Sequence, residues 1–178
     1  KLVTEGYKIM QSMHMLRFPV IFASMVTKGC VESGRSVQEG GAKYSTAGLF
    51  ITGAANMADS IEAIQKCVFE DKDIKALDNN FEGEERMRQL LLNKPEKFGN
   101  DKEHVDGIYR EMMHFIADNV QTWPDARGGW FSFNVHSQTV NVSHGAVCGA
   151  TPDGRLAGEP FCDNASPMMG RDKSGPTA

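Results

Sequence analysis

Apolar side chains recur three or four residues apart in several stretches of the chain, the pattern of helices that bury one face. The pattern predicts helices over residues 19–33, about 56–68, 74–81, 84–93 and 102–121. Residues 1–18 carry a weaker, methionine-rich stripe. For the second helix the sequence predicts a cap at Asn56 or Asp59. Its predicted inward face is formed by Met57, Ile61, Ile64 and Val68.

Two other stretches have the composition of strands. Residues 48–53 form a short apolar run between glycines, and residues 129–142 are rich in aromatic and β-branched side chains. A strand, a glycine turn and a helix in succession indicate an α/β fold. His136 and His144 could share a face of the second region, but no acidic residue lies near them in sequence, so we expect no metal site.

Composition narrows the class of protein. The 178 residues carry a net charge of −4 and 40% hydrophobic residues, and no apolar run reaches 18 residues. We therefore expect one cytoplasmic domain that binds neither nucleic acid nor membrane. The cysteines do not follow a zinc-binding spacing and are expected to be reduced and buried: Cys30, Cys67, Cys148 and Cys162.

Residues 150–178 have neither helical nor strand periodicity. Prolines alternate with glycines throughout this closing loop, which is typical of a shaped, ordered loop. The segment 151–155 predicts a compact turn, with φ > 0 at Gly154 and with Arg155 either tying the loop to the domain or pairing with a carboxylate. The loop tip combines one hydroxyl with a ring and two soft side chains, which suits a mostly apolar pocket: Ser166, Pro167, Met168 and Met169.

Cys30 and Glu32 have two interpretations. A cysteine two residues from a carboxylate is what a thiol–base or thiyl–base mechanism requires. Alternatively, Cys30 is a core residue and Glu32 faces solvent, because residues i and i+2 of a helix point about 200° apart.

Four blocks of the sequence carry a resemblance that covers nearly the whole chain. They are GCVESGRSVQEGGAKYSTAG (29–48), NMADSIEAIQKCVFEDK (56–72), NNFEGEERMRQLLLNKPEKFGND (79–101) and the closing loop. Together they resemble glycyl radical enzymes of the pyruvate formate-lyase-like superfamily. The resemblance is greatest to the branch of glycerol and diol dehydratases, choline trimethylamine-lyase and hydroxyproline dehydratase.

The resemblance implies an α/β fold that is part of a ten-stranded barrel with surrounding helices. In that family an activating enzyme, which uses S-adenosylmethionine and an iron–sulfur cluster, installs a glycyl radical. The radical takes a hydrogen atom from a cysteine, whose thiyl radical then takes a hydrogen atom from the substrate. The block around Cys30 matches a structural cysteine of the family. The resemblance therefore places the radical cysteine upstream of Lys1 and the radical glycine downstream of Ala178.

Residues 1–178 are thus expected to form a partial barrel domain that binds no cofactor and carries neither radical residue. Cys30 and Glu32 remain the lesser catalytic alternative. The resemblance places one part of the closing loop against the substrate: Asn164, Ser166, Pro167, Met168 and Met169. The chain departs from the family pattern at Tyr44-Ser45, where YN is usual, and at residues 163–167, where DG(A)SP is usual. Asn164 should preserve that turn, because Asn tolerates the left-handed region.

The function implied by the resemblance is radical elimination, by dehydration or C–N or C–S cleavage, on a small polar substrate. One alternative is a carbon–carbon lyase of the formate acetyltransferase or arylacetate decarboxylase type. A second is a non-catalytic remnant or subunit-binding module. The expected partners are the substrate, the activating enzyme and, at full length, a second copy of the protein. Alone, the chain is expected to be inactive and to aggregate or stay partly unfolded.

Overall fold

The structure, a computed structural model, describes residues 2–69 and 78–175. The chain divides into two compact units. The first comprises Lys1–Leu49 and Ile116–Phe133, and the second comprises Phe50–Phe115 and Asn134–Ala178.

The first unit opens with three helices, α1 (Leu2–Arg17), α2 (Ile21–Val26) and α3 (Cys30–Ser33). The prediction of one helix over 19–33 is wrong. Thr27 is extended and Gly29 has a φ of 99°, so the chain leaves the helical region between α2 and α3. The core of this unit forms around Ala47, Val120 and Phe131.

The double glycine after α3 lets backbone segments approach closely. A Cβ on Gly40 would overlap the Arg127 carbonyl, and one on Gly41 would overlap the Arg35 carbonyl. Only glycine fits at such positions.

Two strands pair, β1 (Thr46–Phe50) and β2 (Trp130–Asn134). They run parallel, because Gly129 packs on Ser45 before the strands and the Ile51 N–H donates to the Asn134 carbonyl after them (3.0 Å). The sequence located β1 two residues too late. It also extended strand structure to residue 142, where the chain instead forms helix α7 (Val140–Ala146).

Contacts with the closing loop explain α7. Asn141 exchanges hydrogen bonds with the Phe161 backbone, at 3.2 Å each. Gly145 packs so closely on the Glu159 carbonyl that a Cβ would overlap it. Tertiary packing therefore overrides the β propensity of the valines in this segment.

In the second unit, helix α4 (Ala54–Ala63) continues into a π-helical segment, Ile64–Val68. The helix begins after Gly53, so the predicted caps Asn56 and Asp59 lie inside it and are buried. The predicted inward stripe is wrong at Met57, which is 53% exposed, while Ile61 and Ile64 are half-buried. The buried face consists of small and polar residues: Ala54, Ala55, Asn56, Ala58, Asp59, Glu62 and Ala63.

Two further helices confirm their predictions, α5 (Glu85–Asn93) and α6 (Glu103–Val120). Leu91 of α5 is buried with Ala63, Cys67 and Phe81 in the core of the second unit. Residues 70–77 lie outside the described residues, and with them the charged stretch 70–73 and the first half of the helix predicted over 74–81. Residues 78–83 form turns rather than a helix, with positive φ at Asn80 and Phe81.

The cysteines are free thiols. Cys30, Cys67 and Cys162 are buried, as predicted, whereas Cys148 is half-buried. Within the described ranges, 2–69 and 78–175, no helix is both long and apolar enough to cross a membrane.

Candidate functional site

The turn at residues 151–155 has the predicted geometry. Gly154 has a φ of 90°, and the Thr151 N–H donates to the Arg155 carbonyl (3.0 Å). The turn docks on α5, where Arg88 Nε donates to the Gly154 carbonyl (3.0 Å). A Cβ on Gly154 would come within 2.7 Å of Leu92, so this close approach requires glycine.

Arg155 anchors the loop from inside the protein. Its side chain is fully buried and donates to the carbonyls of Leu156 (3.0 Å), Glu159 (2.6 Å) and Gly149. The guanidinium also lies over the Phe161 ring, 4.4 Å from its centroid. Arg155 therefore binds backbone carbonyls, together with the Thr151 hydroxyl, in place of a carboxylate. These partners all lie between residues 149 and 161, so Arg155 holds the loop in its own fold, and its predicted tie to the rest of the domain stays a prediction.

Polar residues of α4 connect to the loop. Asn56 Nδ2 donates to Asp153 (2.8 Å), while Asn56 Oδ1 accepts from the Cys162 N–H (2.7 Å). Arg171 Nη1 donates to both Asp59 (3.1 Å) and Asp153 (2.6 Å). Buried polar groups need such partners, so one network fixes both ends of the segment 153–171 to the same helix.

The surroundings shift the pKa values of Asp59, Asp153 and Lys97. Burial raises the pKa of the Asp59 carboxyl. The hydrogen bond from the Phe98 N–H and the charges of Lys97 and Arg171 lower this pKa, but burial has the larger effect. Burial would also raise the pKa of Asp153. There the Arg171 guanidinium and the donors of Thr151 and Asn56 prevail and hold the pKa below its usual range. Burial lowers the pKa of Lys97, whose ammonium donates to the Leu91 carbonyl (2.8 Å).

The outer side of the loop bounds a cavity of about 550 Å³. Four of the five residues that the family resemblance assigned to the substrate line it, namely Ser166, Pro167, Met168 and Met169. The remaining lining residues come from α7 and the neighbouring parts of the loop: Asn141, Val142, Pro160, Phe161, Asp163 and Asp172. This volume lies in the range of small-molecule sites in proteins.

Two contacts support the wall of this cavity. Pro167 packs against Gly99, where a Cβ would overlap the proline ring. Asn164, with a φ of 52°, accepts the Ser137 N–H on Oδ1 (2.7 Å), and the Ser137 hydroxyl donates to Asp163. Asn164 thus adopts the left-handed conformation expected of it. It supports the wall from behind and is not among the residues that line the cavity.

Cys30 and Glu32 do not form a reactive pair. Cys30 is the buried first residue of α3, beside a separate cavity of about 230 Å³. Glu32 Oε2 reaches back to accept the Gly29 N–H (3.0 Å), which caps the same helix. The carboxylate is therefore committed to the helix N-terminus and not to the thiol.

His136 and His144 do not share the face of a strand. His136 is exposed after β2, and His144 lies on α7 rather than in a strand. Among the residues that the structure describes, no group of three His, Cys, Asp or Glu side chains could hold a metal ion.

The sequence did not predict the buried polar contacts of Asn56, Asp59, Lys97 and Arg171. One signal was available, because Asn56, Asp59 and Glu62 recur every three residues and so mark a polar stripe on α4. Asn56 or Asp59 was instead assigned to the cap of the helix. The partners that bury it lie about 40 to 110 residues away.

Residues 1–145 match the pyruvate formate lyase-like family. The chain is 34% identical over 180 residues to trans-4-hydroxy-L-proline dehydratase of Clostridioides difficile, an alignment that covers 98% of this chain and 23% of that protein.

Two solved structures share the fold. A glycyl radical enzyme from Archaeoglobus fulgidus matches with a TM-score of 0.91 and 31% identity, over 99% of this chain and 23% of that one. The glycerol-bound B12-independent glycerol dehydratase from Clostridium butyricum matches with a TM-score of 0.87 and 38% identity, over 96% and 22%. The expectation of an α/β fold that forms part of a glycyl radical enzyme is thereby confirmed. The chain spans less than a quarter of the length of each of these proteins, and it belongs to the pyruvate formate lyase-like family of glycyl radical enzymes.

Proposed function

We propose that this chain forms one wall of the substrate cavity in a glycyl radical lyase that eliminates a group from a small polar substrate. The observation that carries the proposal is the placement of residues 166–169 around a cavity of about 550 Å³. Two proteins of matching sequence or fold are dehydratases, of trans-4-hydroxy-L-proline and of glycerol. Dehydration is therefore the favoured form of the elimination.

The wall's own contribution is to bind and orient. Ser166 offers a hydroxyl, Asn141 an amide, and Met168 and Met169 offer adaptable apolar contact. The buried network of Arg171 and Arg155 holds this surface in one conformation, which is how remote residues help to position a reacting group.

The radical residues belong, in this proposal, to parts of the polypeptide outside residues 1–178. The capping role of Glu32 supports this assignment, because it leaves Cys30 without the neighbouring base that elimination needs. The further requirements are an activating enzyme that uses S-adenosylmethionine and an iron–sulfur cluster, and a homodimeric, cytoplasmic full-length protein that works in anaerobic metabolism.

The carbon–carbon lyase and the non-catalytic module stay as alternative predictions. The complete reading frame discriminates between them. A C-x-E motif upstream with an RVSGY-like motif downstream indicates elimination, and adjacent cysteines upstream indicate formate-lyase chemistry. Stop codons directly before and after the coding sequence of this chain would contradict both enzyme assignments.

The direct test uses the complete polypeptide, activated without oxygen and examined by electron paramagnetic resonance and product analysis. We expect a glycyl radical and turnover, both retained in the Cys30→Ser variant. Serine at an upstream radical cysteine should keep the radical and abolish turnover. A radical signal from residues 1–178 alone, or lost turnover in a folded Cys30→Ser protein, would overturn the placement of the radical residues.

A further inference from the structure

Two segments line the cavity beside residues 166–169. Helix α7 contributes Asn141 and Val142, and the remaining lining residues lie between Pro160 and Asp172 of the closing loop. Helix and loop run antiparallel, because residues 137, 141 and 145 contact residues 163–164, 161 and 159–160 in that order. The width of the cavity therefore depends on how this helix is attached to the loop.

The attachment nearest to the loop tip is made by Asn164. Its Oδ1 accepts the Ser137 N–H (2.7 Å), its own N–H donates to the Ser137 hydroxyl (3.3 Å), and that hydroxyl donates to Asp163. Ser137 is only 2% exposed, so solvent does not replace these partners. In the turn that follows, the Ser166 N–H donates to the Asp163 carbonyl (3.0 Å), so the direction of the loop tip follows from the position of Asn164.

Backbone strain lies directly beyond this attachment. Gln138 and Thr139 follow Ser137 with φ of 42° and 69°, a region that is unfavourable for residues with a Cβ and most of all for a β-branched one. Such strain persists only where surrounding contacts hold it, and it is concentrated at ligand-binding and active sites. Asn164 and Asp163 supply such contacts at Ser137, immediately before the strained pair and α7.

The backbone alone does not require asparagine at position 164. Asn164 has a φ of 52°, which glycine adopts without strain, and glycine is the residue of the DG(A)SP pattern at this place. What the asparagine side chain adds is the acceptor for the Ser137 N–H.

We infer that Asn164 is a positioning residue, which binds Ser137 and so fixes the loop tip against α7 in the conformation that accepts the substrate. The inference rests on the proposed function and adds to it a residue outside the lining of the cavity. Pro167 packs on Gly99 and attaches the loop tip on a second side. Loss of the Asn164 contact should therefore loosen the tip without unfolding the loop.

The test is Asn164→Gly in the complete, unactivated polypeptide, whose methionine methyl groups are isotope-labelled for nuclear magnetic resonance. The Met168 methyl signal should shift or broaden, because the loop tip samples more than one conformation. Hydrogen exchange of residues 163–169 should become about five- to thirtyfold faster, and that of α5 should stay unchanged. Asn164→Asp should restore the parent's behaviour, because a carboxylate accepts the same N–H and Asp tolerates the left-handed region.

Asn80→Gly is the matched control. Asn80 has a φ of 58° and its Oδ1 accepts the Ala157 N–H (2.7 Å), so the substitution removes the same kind of contact from the same kind of backbone. Neither Asn80 nor Ala157 lines the cavity, and the Met168 signal should not change.

Four results would overturn the inference. They are an unchanged Met168 signal in Asn164→Gly, equal effects of the two glycine variants, faster exchange that extends through α5, and an Asn164→Asp variant that behaves like Asn164→Gly.

Activity separates this inference from the proposed function. After activation, Asn164→Gly should keep the radical yield of the parent and raise the KM for the parent's substrate severalfold, because a mobile wall must be ordered on binding. An unchanged KM would contradict the positioning role. A parent protein that forms no radical would contradict the proposed function, and the Met168 signals of the variants would still decide whether Asn164 fixes the loop tip.

Discussion

The comparison of the closing loop with helix α2 shows that a segment can be irregular and yet buried, or helical and yet exposed. Helix α2 is regular, but none of its six residues, all of which the structure describes, is buried, and Phe22 is 86% exposed. The closing loop has no helix or strand from residue 150 to residue 175, yet Asp153 and Arg155 are completely buried within it.

The difference lies in where backbone groups find their partners. In α2, as in any helix, most partners are a few residues away in the same element. In the loop, carbonyls and N–H groups are satisfied by side chains, such as Arg155 on three carbonyls and Asn56 on the Cys162 N–H. Irregular backbone can be buried only when such partners exist, so the order of the loop depends on a few side chains.

The largest effect should come from Arg155→Ala. This change removes the Arg155 donor from the carbonyls of Leu156, Glu159 and Gly149, of which Leu156 keeps the Glu159 N–H, and it opens a void over Phe161. We expect a loss of about 3–5 kcal/mol of local stability. Hydrogen exchange of residues 149–161 in the complete polypeptide measures it. Arg86→Ala, which truncates an exposed arginine of α5, should change exchange little; equal effects would refute the anchoring role.

Gly99→Ala should have the next largest effect. A Cβ there overlaps the Pro167 ring, and the φ of 78° is strained for alanine, so we expect a cost of about 2–4 kcal/mol and altered ligand binding at the cavity. Gly83→Ala is the matched control, because Gly83 has the same φ and no atom within 4 Å of the added Cβ. Only the backbone cost of about 1–2 kcal/mol should remain there. Similar losses in both variants would show that Pro167 does not depend on Gly99.

Acid should loosen the loop through Asp153. Its pKa is lower in the folded protein, so its stabilisation is complete above the unfolded value of about 3.9 and is lost as pH falls through the folded value. Asp59 acts in the opposite sense. Its pKa is raised, so its contribution is present below the unfolded value and is lost as pH rises through the folded value.

Local stability of the loop should therefore pass through a maximum in weak acid and fall below about pH 4. Hydrogen exchange corrected for intrinsic rates at each pH measures this. In the curve of local stability against pH, Asp153→Asn should remove the fall below about pH 4, which is the acid limb. Asp59→Asn should flatten the decrease from the maximum toward neutral pH. An acid limb that persists in Asp153→Asn would assign it to another group.

Ser24→Ala tests the other half of the comparison and should have the smallest effect. The Ser24 hydroxyl donates to the Val20 carbonyl and accepts the Val37 N–H (3.0 Å), so it links α2 to the loop after α3. We expect a loss of about 1 kcal/mol. Ser12→Ala removes only an intrahelical bond, to the Lys8 carbonyl, and should cost less. A loss at Ser24 as large as that of Arg155→Ala would remove the contrast between the two regions.

Local patterns predicted the parts of the fold that depend on neighbours in sequence. The turn at residues 151–155 follows from Pro152 and Gly154, and α5 and α6 follow from their apolar periodicity. The loop tip, 166–169, was singled out by its composition and by the family resemblance, and it does line a cavity.

Long-range contacts decided the rest. Arg171 pairs with Asp59 across 112 positions, and Asn56 with Asp153 across 97, so no window of sequence contains both partners. The same limit accounts for α7, whose valines indicate a strand until Phe161 and Glu159 are packed against the helix.

The hydrogen bonds of Asn56 have a consequence for the order of folding. Asn56, Asp59, Arg88 and Phe98, which contact the closing loop or its arginine network, all precede it in the chain. A ribosome therefore releases these partners before the loop emerges. Closing a span of about 100 residues carries an entropic cost that is recovered only once α4 has formed. The loop should thus be among the last segments of the second unit to become structured, and helices α4 and α5 should be protected earlier during synthesis.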